Sequence, residues 1–107
     1  ALKLYYDLLS LKEPPMRILF LISRQFNMLL QTKLLREKGY DKRIISEKLG
    51  VAPFIAAKYM DQAAHFKRSV LRRAVEDCVK AEEDVKTGRI GDVMSVELLM
   101  IKYSSIS

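Results

Sequence analysis

Cysteine occurs once in this chain, at Cys78, and histidine once, at His65. A single thiol excludes an internal disulfide framework and fits a reducing cytoplasm. With no second histidine, cysteine or carboxylate at ligand spacing, His65 reads as a helix-end histidine, and no metal is expected. Long apolar runs are also missing. The longest strongly apolar run, Ile18 to Ile22, is bounded by Arg17 and Ser23, far too short to cross a bilayer, and no charged-then-apolar leader precedes it. A soluble, cytoplasmic protein with no membrane contact is expected. No run alternates apolar and polar residues long enough for a strand. No glycine-rich phosphate cradle, acid–base pair or activated nucleophile is present, so neither a cofactor nor an enzyme activity is expected of these residues.

What remains is enough for one domain of ordinary size. Of the 107 residues, 50% are hydrophobic and 30% charged, so a core can form without staples. The net charge of +6 is unevenly spread: residues 1–53 carry ten Lys/Arg against five Asp/Glu, and residues 54–107 nine against eight. Any electrostatic footprint belongs to the first half, where Lys33, Arg36, Lys42 and Arg43 are candidate phosphate contacts. Lys67, Arg68, Arg72 and Arg73 are the densest basic cluster, and pairing of Arg72 with Glu76 and Arg73 with Asp77 at i, i+4 is its plainest account. Glu82-Glu83-Asp84 reads as a solvated helix face, with Glu82 near the seam.

Helical periodicity runs through the whole chain. Leu2, Tyr5, Tyr6 and Leu9 form a first short amphipathic segment that stops before Pro14-Pro15, a pair suited to a loop and the first turn of the next helix. Because the chain starts at Ala1 inside that pattern, it is expected to have been cut from a larger protein. The helix from Met16 to about Lys38 is the longest, and its apolar residues cover nearly every side in the first two turns before narrowing to a stripe. That pattern predicts a central helix whose start is surrounded. Gly39 is expected to end it as a left-handed cap.

Asp41 is placed to cap a short helix bearing Ile44, Ile45 and Leu49, which Gly50 ends. Pro53 opens another helix through Ile55, Ala56, Tyr59, Met60 and Ala63. The next carries Leu71, Ala74, Val75, Cys78 and Val85 on one face, where Cys78 reads as a buried inert thiol, and stops at Thr87-Gly88. Asp92 is expected to cap the last helix, Val93 to about Tyr103. The predicted fold is all-α, a compact bundle of about five or six helices.

Residues 44–60, IISEKLGVAPFIAAKYM, have the spacing of a helix-turn-helix. As a reader of DNA the segment is poor, because the second helix begins Pro53, Phe54, Ile55, Ala56, Ala57 where a recognition helix would set Arg, Asn, Gln or Ser against base edges. Only Lys58 could serve. A packing motif is the better account, with a nucleic-acid-binding helix-turn-helix domain as the alternative.

In the last helix, at about 100° per residue, Val93, Val96, Leu99, Met100 and Tyr103 gather on one face and Met94, Leu98 and Ile101 on the other. Two apolar faces need two partners. One is expected to be the domain core; the other is either covered by a further helix of the chain or forms a protein interface.

Arg24-Gln25-Phe26 followed by Leu29-Leu30-Gln31, the turn Lys38-Gly39-Tyr40, the helix from Ile45 to Gly50, and Val51-Ala52-Pro53-Phe54 resemble, in order and spacing, the C-terminal (collar) domain of the delta subunit of the bacterial DNA polymerase III clamp loader. Gln62-Ala63-Ala64 with Phe66, and the helix ending Asp84-Val85-Lys86-Thr87-Gly88-Arg89, extend the likeness over nearly the whole chain. Residues 1–11 resemble the linking helix that leads in from the family's preceding domain, so the resemblance implies a linking helix from an upstream domain over 1–11 and a helical collar domain over 14–107. The resemblance implies a structural oligomerisation module that supports sliding-clamp loading in DNA replication. It implies contact with other clamp-loader subunits through their C-terminal domains, with DNA weakly or indirectly, and with the sliding clamp only through an N-terminal region outside these residues. The delta subunit is expected to be non-catalytic, although the parent holoenzyme is a DNA-directed DNA polymerase.

Overall fold

In a computed structural model the chain is described from residue 14 to residue 104, and five helices and no strand occupy these residues: α1 (Pro15–Glu37), α2 (Lys42–Leu49), α3 (Pro53–Ala63), α4 (Arg68–Lys86) and α5 (Asp92–Ser104). The expected linking helix over 1–11 lies outside the described residues, as do residues 105–107 of the expected domain.

Several helix boundaries follow from local chemistry. Pro14 is extended and Pro15 takes the first helical position, where a missing N–H costs nothing; the Pro14 carbonyl accepts from Arg17 N and Ile18 N at 3.0 and 3.1 Å. At the other end of α1, Gly39 has φ +89°, Gly39 N donates to the Arg36 carbonyl at 2.9 Å, and Tyr40 N donates to that of Leu35 at 3.3 Å. This is the paired bonding of a Schellman cap. The end of α4 repeats it, with Gly88 at φ +77° and bonds from Gly88 N to Val85 O at 3.1 Å and from Arg89 N to Asp84 O at 2.9 Å. Asp41 Oδ1 accepts from Ile44 N at 3.0 Å and so satisfies one of the orphan donors at the start of α2.

Helix α1 is the hub, packing against each of the other four helices. Its first half contributes Ile18, Leu19 and Ile22 to a cluster completed by Ala74 and Cys78 of α4 and by Val96, Leu99, Met100 and Tyr103 of α5. Its second half contributes Leu29, which meets Ala63 of α3 and Leu71 of α4. Phe26 joins the two clusters, with its ring centroid 5.2 Å from that of Tyr103 and 6.5 Å, edge-on, from that of Phe66. The start of α1 is not surrounded on every side, since Phe20 remains 57% exposed.

Buried polar side chains are satisfied by backbone carbonyls. Thr32 Oγ1 donates to the Met28 carbonyl at 2.7 Å, Ser46 Oγ to that of Arg43 at 2.8 Å, and Ser95 Oγ to that of Ala81 at 3.4 Å. Among the described residues no buried side-chain polar atom lacks a hydrogen-bond partner.

Candidate functional site

Helix α5 begins one residue earlier than its sequence suggests. Asp92 is its first residue rather than its cap: Asp92 Oδ1 accepts from the adjacent Val93 N at 2.8 Å, while the Gly91 carbonyl accepts from Ser95 N at 3.0 Å. Asp92 in the first turn and Lys102 in the last both complement the helix dipole.

The buried arc of α5 is Ser95, Val96, Leu99, Met100 and Tyr103. Val93 does not belong to it and is 51% exposed, whereas Ser95 does. On the other side Met94, Leu98 and Ile101 are 53%, 49% and 69% exposed, a row of large apolar side chains facing outward. Leu98 also forms one wall of a cleft of about 140 Å³ between α4 and α5, floored by Ala81 and Leu99. Two ion pairs border it: Lys102 Nζ to Asp77 Oδ2 at 2.8 Å, across the two helices, and Lys80 Nζ to Asp84 Oδ2 at 3.7 Å, within α4. The outer row meets the cleft at Leu98, which belongs to both.

Asp77 lines that cleft. Burial alone would raise its pKa, but hydrogen bonds from Lys102 and Tyr103, together with the Lys102 and Arg73 charges, outweigh it and hold the carboxyl below the usual value of 3.8. The Tyr103 phenol is pushed well above its ordinary 10 by burial and by its bond to the Asp77 carboxylate. Asp77 is therefore engaged across the helix interface by Lys102 and Tyr103 rather than by a bonded i, i+4 partner, and Arg73 acts on it through charge. Cys78, fully buried, has its thiol pushed up to about 12 by burial and by the Glu82 and Asp77 charges, so it carries no nucleophilic thiolate at neutral pH.

The candidate phosphate contacts flank the Lys38–Asp41 turn. Arg36 on the last turn of α1 and Lys42 and Arg43 at the start of α2 are exposed, and Lys33 is half-buried. Of the basic cluster further along, Arg68 forms an ion pair with Glu37 of α1 at 3.4 Å, an interaction between exposed groups thirty-one residues apart.

Helices α2 and α3 pack together over a turn in which Gly50 has φ +71°. The exposed positions of α3 include Phe54, at 65%, Lys58, Asp61 and Gln62. Gln62 Oε1 is already taken by Gln25 Nε2 of α1 at 2.6 Å, and Lys58 Nζ sits 6.0 Å from the centre of the Phe54 ring. Asp61 would repel phosphate, so this face is ill suited to reading base edges in a duplex groove. His65 lies exposed in the α3–α4 turn, and among the described residues no group of three His, Cys, Asp or Glu side chains could hold a metal ion. No described helix is long and apolar enough to cross a membrane.

Comparison with known proteins agrees with this architecture. The family described as "DNA polymerase III delta subunit, C-terminal domain" matches residues 1–103. The DNA polymerase III subunit delta of Bacillus subtilis (strain 168) is 37% identical over 102 residues, covering 95% of this chain and 29% of the relative. The solved structure of the Bacillus subtilis DNA clamp loader delta protein (YqeN) superposes with a TM-score of 0.86 at 38% identity, over 94% of this chain and 30% of that one. The chain thus spans less than a third of the length of these relatives.

Proposed function

The chain belongs to the family of C-terminal domains of the DNA polymerase III delta subunit, and from that premise we propose that it is the oligomerisation module through which its parent subunit joins a replication clamp loader. The observation that carries the proposal is the outward row of Met94, Leu98 and Ile101, which meets the α4–α5 cleft at Leu98. Three large apolar side chains on successive turns of one helix, beside an apolar cleft edged by ion pairs, have the form of a surface covered by another helix. The partners are the other clamp-loader subunits, met through their own C-terminal domains, in the cytoplasm of a bacterial cell. The module works without catalysis, by holding its parent subunit in the ring, and DNA and the sliding clamp are engaged mainly by the rest of that assembly.

A base-reading helix-turn-helix is the weaker reading. Against it stand Phe54 and Asp61 on the outer face of α3 and the engagement of Gln62 with Gln25.

Hydrogen exchange on the full-length subunit, alone and assembled with its clamp-loader partners, tests the proposal. Amides of residues 93–103 should gain protection on assembly while those of α3 change little. Equal exchange of α5 in the two states would contradict it.

A further inference from the structure

The segment from Lys33 to Asp61 carries seven Lys/Arg against four Asp/Glu, a net +3 out of +6 for the whole chain. Two of its four carboxylates are already engaged, since Glu37 is paired with Arg68 and Asp41 caps α2, and the exposed Glu47 and Asp61 are outnumbered by the cations around them. The cations around the α1–α2 turn and along α2 are unevenly distributed in favour of solvent, since Arg36, Lys38, Lys42, Arg43, Lys48 and Lys58 are all exposed. Set among them are two aromatic rings, each with an ammonium group beside it: Tyr40, half-buried, with Lys48 Nζ 5.1 Å from its centre, and Phe54, 65% exposed, with Lys58 Nζ 6.0 Å away.

The exposed ring of Phe54 has no role in the core. It belongs to neither buried cluster, and it stands at the start of α3, next to the α2–α3 turn. A lone exposed phenylalanine needs no explanation, but one with an ammonium group 6.0 Å from its ring centre, within a segment of net positive charge, has a specific chemistry. The apolar start of α3 that cannot hydrogen-bond to paired base edges is suited to the faces of unpaired ones, because stacking needs an open ring and no donor or acceptor pattern. Nearby exposed ammonium and guanidinium groups supply the phosphate attraction that such a platform requires.

We propose that the α2–α3 corner is a contact for single-stranded nucleic acid, with Phe54 stacking on a base and the exposed cations Arg43, Lys48 and Lys58 supplying the attraction for its phosphates. This goes beyond the oligomerisation role and does not depend on it.

The test is fluorescence anisotropy of the full-length protein with a labelled oligo(dT) of about 15 nucleotides, a length within the site sizes of single-strand binders, and with a duplex of equal length. Phe54→Ala should weaken oligo(dT) binding by roughly 5- to 150-fold, the range for loss of one base–aromatic stack, and leave the duplex affinity unchanged. Phe54→Tyr should restore the single-strand affinity. Arg43→Gln should weaken both ligands and reduce the salt dependence for oligo(dT) by about 0.7 in log–log slope, as expected for one phosphate contact. Thermal melts of each variant confirm that it is folded, and co-elution with clamp-loader subunits, read on the same samples, is expected to be normal for the Phe54 variants. Absence of oligo(dT) binding, equal loss of single-strand and duplex affinity in Phe54→Ala, or competition by polyglutamate as strong as that by oligo(dT) would each overturn the proposal.

Discussion

Lys102 Nζ of α5 lies 2.8 Å from Asp77 Oδ2 of α4, and the hydroxyl of the neighbouring Tyr103 donates to the same oxygen. One carboxylate thus takes two consecutive residues of the last helix and fixes its rotation against α4. With that rotation fixed, Val96, Leu99 and Met100 turn inward, and Met94, Leu98 and Ile101 turn out. The outward row lies opposite this anchored and buried arc of α5.

This anchor has a pH signature. The Asp77 carboxyl is held below its ordinary value, so its contribution is fully present above the unfolded carboxylate pKa of about 3.9 and is lost as pH falls through the lower folded value. Asp77→Ala should lower stability by about 1.5 to 3 kcal/mol near pH 7, the range for hydrogen bonds to a charged group. Denaturant titrations at several pH values should show the gap between wild type and variant closing below about pH 4. At the alkaline end the raised Tyr103 phenol adds the opposite sign: its contribution is present below the unfolded value of about 10 and fades as pH rises through the folded one. A gap of constant size from acid to neutral pH would show that the Asp77 charge does not anchor α5.

Gly39 and Gly88 serve the chain through their backbone. They hold φ of +89° and +77°, and a Cβ placed on either meets nothing within 4 Å, so a substitution there is opposed by conformation and not by a clash. Gly39→Val and Gly88→Val should each lower stability by about 1 kcal/mol or more, from a β-branched side chain at positive φ. Unchanged melting temperatures in both variants would mean that the helix ends relax to another cap.

Duplex DNA should bind weakly and without sequence preference. The exposed face of α3 offers Phe54 and Asp61 where base-reading donors would stand, and Lys33, Arg36, Lys42 and Arg43 supply attraction that any phosphate backbone would meet. A titration near physiological salt should give an affinity no tighter than about 10⁻⁴ to 10⁻⁶ M, the non-specific range. Submicromolar binding to one sequence over scrambled controls would favour the helix-turn-helix reading.

The sequence carried the helices well, because their starts and stops are written in local chemistry: Pro14-Pro15, Asp41 and Pro53 at the beginnings, and Lys38-Gly39 and Thr87-Gly88 at the ends. It was less informative about rotation. Val93 shares a helical face with Val96 and Met100 in projection, yet it stays exposed at the first turn of α5, while Ser95 is buried because its hydroxyl finds the Ala81 carbonyl of α4. Helical spacing likewise suggested Arg73 as the partner of Asp77, but the carboxylate reaches across to Lys102, twenty-five positions away, an arrangement that appears only once α4 and α5 are packed. Phe20 and Phe54 are comparable in apolarity to the core residues beside them, and only the packing shows that both rings remain outside.

The most direct test of the oligomerisation role is co-elution of the full-length subunit carrying Leu98→Glu with its clamp-loader partners, beside wild type and Phe54→Ala. Leu98 is half exposed, so a carboxylate there keeps its hydration in the free subunit and loses it in a closed interface. The account predicts near-normal helicity and melting temperature for Leu98→Glu together with loss of co-elution, while Phe54→Ala assembles as wild type does. A Leu98→Glu subunit that folds and still assembles with unchanged affinity would contradict it.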